Sequence, residues 1–371
     1  MIKIIKNLDN YSPKNEYSIF IKDYFKGILK DGTKRYIKNI DVEVQILDVN
    51  WTLIPITFWN LKNNNCFSSS VLWMFQYLWH ETKNINNIFL KIFIYIYTKI
   101  NIFFIKILRL DLAIFVNNNL LSTNIYPDLK ENDFIEIQNF LLKKYPKYTI
   151  IFRTLNGQNK KYLEILKKLW FSKIIFRQIY LSYKEKKELY LNNKYVKQDR
   201  KMVMKSRYEH IYKNNYSNNE LKEIKECYDN LYLKKYSFLN PQLTFDFFKI
   251  IQQNNSFFIK ILKNKYDQKI NAAYGCFMIN NQITAPVFWY KNDNLYRNIT
   301  LFCVMEWLDK AEIMNWSSWV WQFKMNRWAE KTTEYFLIYY KHLSFFKKLI
   351  WSITLYLSEN IWERYLKNNI A

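Results

Sequence analysis

The sequence predicts a mixed α/β protein built from two units. Strand-like and helix-like stretches alternate through its 371 residues, and the second half holds a hairpin followed by a helix and another strand. The length suits two domains at roughly 150 residues each. A polar stretch with little apolar patterning, Lys184–Asn218, separates the two. The expected domains are residues 1–200 and 201–371, each a mixed, mostly antiparallel sheet flanked by helices.

Asp41–Val49 alternates Val42, Val44 and Ile46 with polar neighbours, the period of a half-buried strand. Leu53–Phe58 reads as a second strand. Ser68–Ser70 caps a helix whose apolar positions Leu72, Phe75, Leu78 and Trp79 recur at helical spacing. Ile88–Leu108 reads as a second, strongly apolar helix lying on the protein core or on a membrane, the core being favoured. Leu112–Val116 is a short buried strand. Phe134–Lys144 is helical and stops before Pro146. Tyr148–Arg153, Lys161–Trp170 and Ile174–Tyr183 read as strand, helix and strand.

Beyond the polar stretch, Asn219–Tyr232 and Phe245–Gln253 read as helices, and Ser256–Leu262, Ile270–Ile279 and Ile283–Tyr290 as strands. Asn280 and Asn281 suit the positive-φ corner of a hairpin. Leu301–Met314 reads as a helix, Trp319–Phe323 and Thr333–Tyr340 as strands, and Leu343–Leu366 as a closing amphipathic helix.

The apolar fraction of 50% excludes an intrinsically disordered chain, and four Gly with six Pro exclude collagen-like and linker classes. Net charge is +24, which suits nucleic acid, an acidic membrane surface or an anionic substrate. The basic residues are scattered, and the Lys, Asn, Ile, Tyr and Phe excess is also what A+T-rich coding produces. Cys66, Cys227, Cys276 and Cys303 form no metal-ligand or disulfide spacing, and His80, His210 and His342 lie far apart. No metal is expected, and a reducing cytoplasm fits. Lysines and Asn101 interrupt Ile88–Leu108, so no membrane span is expected.

Six segments carry a resemblance when taken together. They are Asn63–Ser70, Val116–Pro127, Ile151–Asn156, Arg177–Leu181, Tyr236–Gln242 and Phe323–Arg327. In that order they resemble the acetyltransferase-like proteins of the GNAT superfamily, in the tandem-domain branch near the FemAB aminoacyl transferases. The likeness covers most of Asp41–Leu343. It implies a cytoplasmic acyl transferase whose donor is an acyl-CoA, such as acetyl-CoA, or a charged tRNA, and whose acceptor is an amine. A neutral amine would attack the donor carbonyl while backbone donors hold the oxyanion.

Two departures stand out. Lys291–Asn298, where the superfamily carries a Gly-rich pyrophosphate loop, has no Gly, and Trp328 follows Arg327 where relatives tend to have Gly.

The resemblance selects the candidate residues. Lys291, Arg297, Asn298, Lys324 and Arg327 would hold donor anions. Asn119, Arg153, Asn156 and Arg177 would contact the acceptor from the first domain. Glu306 and Glu334 are candidate bases, with His342 nearby in sequence. Each also has a structural reading: solvated charges, a polar helix start, an inter-domain ion pair, or side chains satisfying a loop. Trp307, Trp316, Trp319, Trp321 and Phe323 read as core that could line an acyl pocket. The favoured function is N-acyl transfer from an acyl-CoA to a small-molecule amine. The alternatives are aminoacyl transfer from tRNA, and a non-catalytic binding protein or degenerate family member.

Overall fold

The computed structural model describes residues 2–59, 66, 68, 70–73, 88–213, 215–291, 293–318 and 320–362. It is a mixed α/β fold around one twelve-stranded sheet, in the order β1-β2-β3-β4-β5-β12-β6-β11-β10-β9-β8-β7. The strands are β1 (Ile2–Ile5), β2 (Glu43–Val49), β3 (Thr52–Phe58), β4 (Ala113–Val116), β5 (Thr149–Leu155) and β6 (Ser172–Tyr183) in the first half of the chain. The second half supplies β7 (Tyr208–Tyr212), β8 (Phe257–Asn264), β9 (Ile270–Ile279), β10 (Gln282–Tyr290), β11 (Ile313–Asn315) and β12 (Glu330–Tyr339).

The pairing pattern repeats. β1 to β4 form an antiparallel meander, and β5 then lies parallel to β4. β7 to β10 form the same meander, and β11 lies parallel to β10. Parallel neighbours need a crossover, supplied by the helices Glu131–Lys144 and Asp293–Lys310. Each half then completes itself with a strand from the other. β12 closes the first half beside β5, β6 closes the second beside β11, and the two exchanged strands pair antiparallel at the centre. The two sheets expected from the sequence are thus two halves of one.

Local chemistry explains most elements. The helix Glu16–Asp31 starts where the Asn15 side chain accepts the Ser18 amide at 2.8 Å, and it buries Tyr17, Phe20, Ile21, Tyr24, Phe25 and Ile28. Its rings pack on β9, with Phe20 and Phe277 centroids 5.0 Å apart. Asn280 and Asn281, at φ 50° and 59°, make the expected hairpin corner between β9 and β10. Gly275 on β9 leaves room for the Phe257 ring, whose nearest atom would lie 2.6 Å from an added Cβ.

Some expectations are corrected. Within the expected strand Trp319–Phe323, the described residues 320–323 are not extended: Val320 takes a left-handed φ of 59°, and a short helix, Trp321–Met325, follows. The tight turn lets Lys324 bond back to Trp316 and Ser317, which an extended run would prevent. The helix expected at Leu301–Met314 begins at Asp293 and ends at Lys310, and Ile313–Asn315 is strand. The polar stretch Lys184–Asn218 contains a helix, Lys194–Met204, and β7. Trp307 and Trp316 are buried as expected, whereas Trp321 is 41% exposed. Phe75, Leu78, Trp79, Trp319 and His80 lie outside the described residues, as does most of the segment Asn63–Ser70.

Candidate functional site

The parallel pair β10 and β11 holds together for three residues only, Gln282–Thr284 against Ile313–Asn315. Two features part the strands. On β10 the register shifts between Thr284 and Val287, around Pro286, which has no N–H to extend the ladder. On the other side, the chain after β11 turns to β6: Trp316 donates its amide to the Tyr180 carbonyl at 2.9 Å. A cavity of about 90 Å³ opens between them. It is large enough for a few waters or a small acyl fragment.

The walls come from both halves. β10 contributes Ala285, Phe288 and Tyr290, and β11 with its extension contributes Met314, Asn315 and Trp316. The π-helical turn Asp229–Tyr236 brings Tyr232 and Tyr236, and the helix Asp293–Lys310 brings Tyr296 and Thr300. Ser122 and Thr123 reach in from the loop after β4.

Two basic side chains reach this cavity, Lys324 and Arg177. Lys324 is 4% exposed, and its Nζ donates to the carbonyls of Trp316 (2.5 Å) and Ser317 (3.1 Å). Burial, with Arg177 nearby, holds its amine well below the usual lysine range. Arg177 on β6 donates through Nε to Glu334 Oε2 at 2.5 Å, across the seam of the exchanged strands. Its Nη2 donates to the Ser122 carbonyl at 3.0 Å and to Thr123 Oγ1 at 3.3 Å. Glu334 is fully buried behind Arg177, and no acid is among the residues lining the cavity. The walls therefore favour an electron-rich group: a carbonyl, carboxylate or phosphate.

The other candidates are placed differently. Arg297 and Arg327 converge on Asp199 of the helix Lys194–Met204, each with Nε 2.7 Å from one carboxylate oxygen. Arg327 also lies over the Phe323 ring, 3.4 Å from its centroid, and donates to the Phe323 carbonyl. This clamp fixes the turn that carries Lys324. Asn298 donates to Ser206 Oγ at 2.9 Å, and Lys291 is exposed at the end of β10. Glu306 pairs with Lys260 and Lys310, and His342 meets the Tyr148 carbonyl at 2.9 Å; neither lines the cavity.

Arg153, Asn119 and Asn156 lie at the corresponding end of the first half. β4 and β5 pair through Val116 and Phe152, and Arg153 comes next. Its guanidinium is fully buried and donates to Asn118 Oδ1 and the Leu121 carbonyl, both at 2.9 Å. Burial pushes it down to about 10. Where the second half has a cavity, the first has this arginine and the loop it ties. Asn119 sits in that loop, its amide accepted by Asn124. Asn156 accepts the Gln158 amide at 2.9 Å.

Asp199 and the four cavity tyrosines were not among the sequence candidates. Pro286 inside a strand was the available signal, since a central strand tolerates proline only at a bulge or edge. Among the described residues, no group of three or more His, Cys, Asp or Glu is placed to hold a metal ion.

No protein-family model matches the chain, and no curated protein matches it. Solved structures similar to it include FemX, at 10% identity over 60% of this chain and 78% of that one, with a TM-score of 0.47. L-PGS from Bacillus licheniformis is 13% identical over 60% of this chain and 77% of that one, at 0.45. A tandem GNAT protein from the clavulanic acid biosynthesis pathway is 5% identical over 91% and 98%, at 0.42. At these scores the likenesses assign no residue a role and name no substrate.

Proposed function

We propose that the chain is an N-acyltransferase whose activated donor, an acyl-CoA, places its carbonyl in the opening between β10 and β11. The observation that supports this most is the parting of that parallel pair after three residues, beside Lys324 and Arg177. An unpaired strand edge offers amide donors, and the basic side chains in the wall favour charge developing on a carbonyl oxygen. The acceptor is a small-molecule amine, in its neutral form. Its nitrogen attacks the carbonyl carbon, the C–N bond forms, the C–S bond breaks, and the amine proton ends on the departing thiolate. Lys324 donates a hydrogen bond to the oxyanion, and Arg177 with Ser122 and Thr123 orients the acceptor. Glu334 holds Arg177, and Arg297 and Arg327 hold the Lys324 turn through Asp199. In this reading residues 1–200 and 201–371 are two domains that exchange β6 and β12, working in the cytoplasm.

Calorimetric titration with acetyl-CoA, a longer acyl-CoA, free CoA and a charged tRNA tests the proposal. Thioester binding that Lys324→Met abolishes is the expected result. No binding to any of them leaves the non-catalytic reading in its place. The +24 charge favours tRNA as the alternative donor, and binding that falls steeply with salt would select it.

A further inference from the structure

Two helices that contribute no residue to the cavity wall carry apolar surface that the fold leaves uncovered. The helix Ile88–Ile107 buries Tyr97, Thr98, Asn101 and Ile105. This inner face meets the helix Phe345–Leu357: Tyr97 donates to the Thr354 carbonyl at 3.2 Å, and Thr354 Oγ1 donates to Asn101 Oδ1 at 2.6 Å. The opposite face presents Phe89, Ile92, Ile96, Ile100, Phe103 and Ile107 at spacings of three and four, each at least 50% exposed. The second helix presents Phe346, Leu349, Ile353 and Tyr356 at the same spacing, each at least 44% exposed.

The charges on these helices are all of one sign. The first carries Lys91, Lys99 and Lys106, the second Lys347 and Lys348, and neither contains Asp or Glu. Among the described residues the acids next to these helices in sequence are already engaged: Asp111 is fully buried beside Arg109, and Glu359 faces Lys173.

We propose that this face docks on the surface of an anionic phospholipid bilayer. Exposed apolar stripes bordered by lysine match the headgroup region, where aliphatic and aromatic side chains enter the acyl boundary and ammonium groups meet lipid phosphate. A second copy of the chain fits poorly, because a self-complementary contact would bring two all-lysine sets together without an acid between them. Among the described residues no helix is long and apolar enough to cross a membrane, and the inner face of Ile88–Ile107 is already occupied by the fold. The proposal does not rest on the acyl-transfer reading.

Flotation of the full chain with vesicles tests it, using phosphatidylcholine alone against a mixture with phosphatidylglycerol. The protein is expected to float with the anionic vesicles only, and less as salt is raised. The triple variant Phe89→Ser, Ile100→Ser, Phe346→Ser should lower partitioning at least roughly tenfold. Lys99→Glu with Lys106→Glu should lower it roughly fivefold or more per site. All three apolar positions are exposed, and unchanged near-ultraviolet circular dichroism verifies that the variants fold. Failure of the wild type to float with anionic vesicles overturns the proposal, and so do variants that float as well as wild type. A dimer in gel filtration that the serine variant converts to monomer would assign the face to a second copy instead.

Discussion

Asp199→Ala should be among the most damaging single changes away from the cavity wall. Asp199 and Arg327 have side chains only 3% and 4% exposed, and their 2.7 Å contact is the guanidinium's only ionic partner among the described residues. Removing the carboxylate leaves a buried cation with the Phe323 carbonyl and ring face for company. Stranding one member of a buried pair costs about 3–5 kcal/mol. Arg297 adds little, because its side chain is 34% exposed and turns to water, a contribution of about 1 kcal/mol or less. The double variant Asp199→Ala, Arg327→Met should recover most of the loss, since an apolar side chain suits the space better than an unpaired charge. Urea-unfolding midpoints of wild type, both single variants and the double variant supply the assay. The reasoning is refuted if Asp199→Ala costs less than about 1 kcal/mol, or if the double variant is no more stable than the single.

Two further outcomes follow from the ionisable groups. Lys324 binds its proton more weakly in the folded state than its ordinary 10.5, so the unfolded chain takes up more protons between the two values. Stability should therefore rise with pH across that window, and Lys324→Met should flatten the rise, read as urea midpoints from about pH 7 to about pH 10. His210, stacked on Phe302, is held down to about 4 by burial and by neighbouring Lys260. Stability should fall by up to about 3 kcal/mol as pH drops from its ordinary range through that value, and His210→Phe should remove the fall while keeping the stack. Midpoints near pH 4.5 and pH 7 check this; equal acid sensitivity in variant and wild type contradicts it.

What could be read from the sequence was what neighbouring residues decide. The hairpin corner at Asn280 and Asn281 and strand Ile270–Ile279 stand where the local pattern puts them. The helix Glu16–Asp31 went unread, although its Asn15 cap and apolar spacing were present. The exchange of β6 and β12 had no local signature, because it depends on which distant strand completes each half. The same holds for the site. The resemblance singled out Lys324 and Arg177, and both reach the cavity, although the strand expected just before Lys324 is a turn and a short helix. Asp199 was hidden in a polar stretch that looked like a boundary, and its partners come from residues 98 and 128 positions away. The turn at Val320 replaced the strand expected at Trp319–Phe323, because bonds from Lys324 back to Trp316 and Ser317 fix the chain there.

The opening between β10 and β11 is the centre of the account, and hydrogen exchange measured with and without an acyl-CoA thioester tests it most directly. Slower exchange in peptides spanning Thr284–Tyr290 and Asn315–Ser317, absent in Lys324→Met, is the expected result. Slowing confined to other strands, or none at saturating thioester, would contradict it.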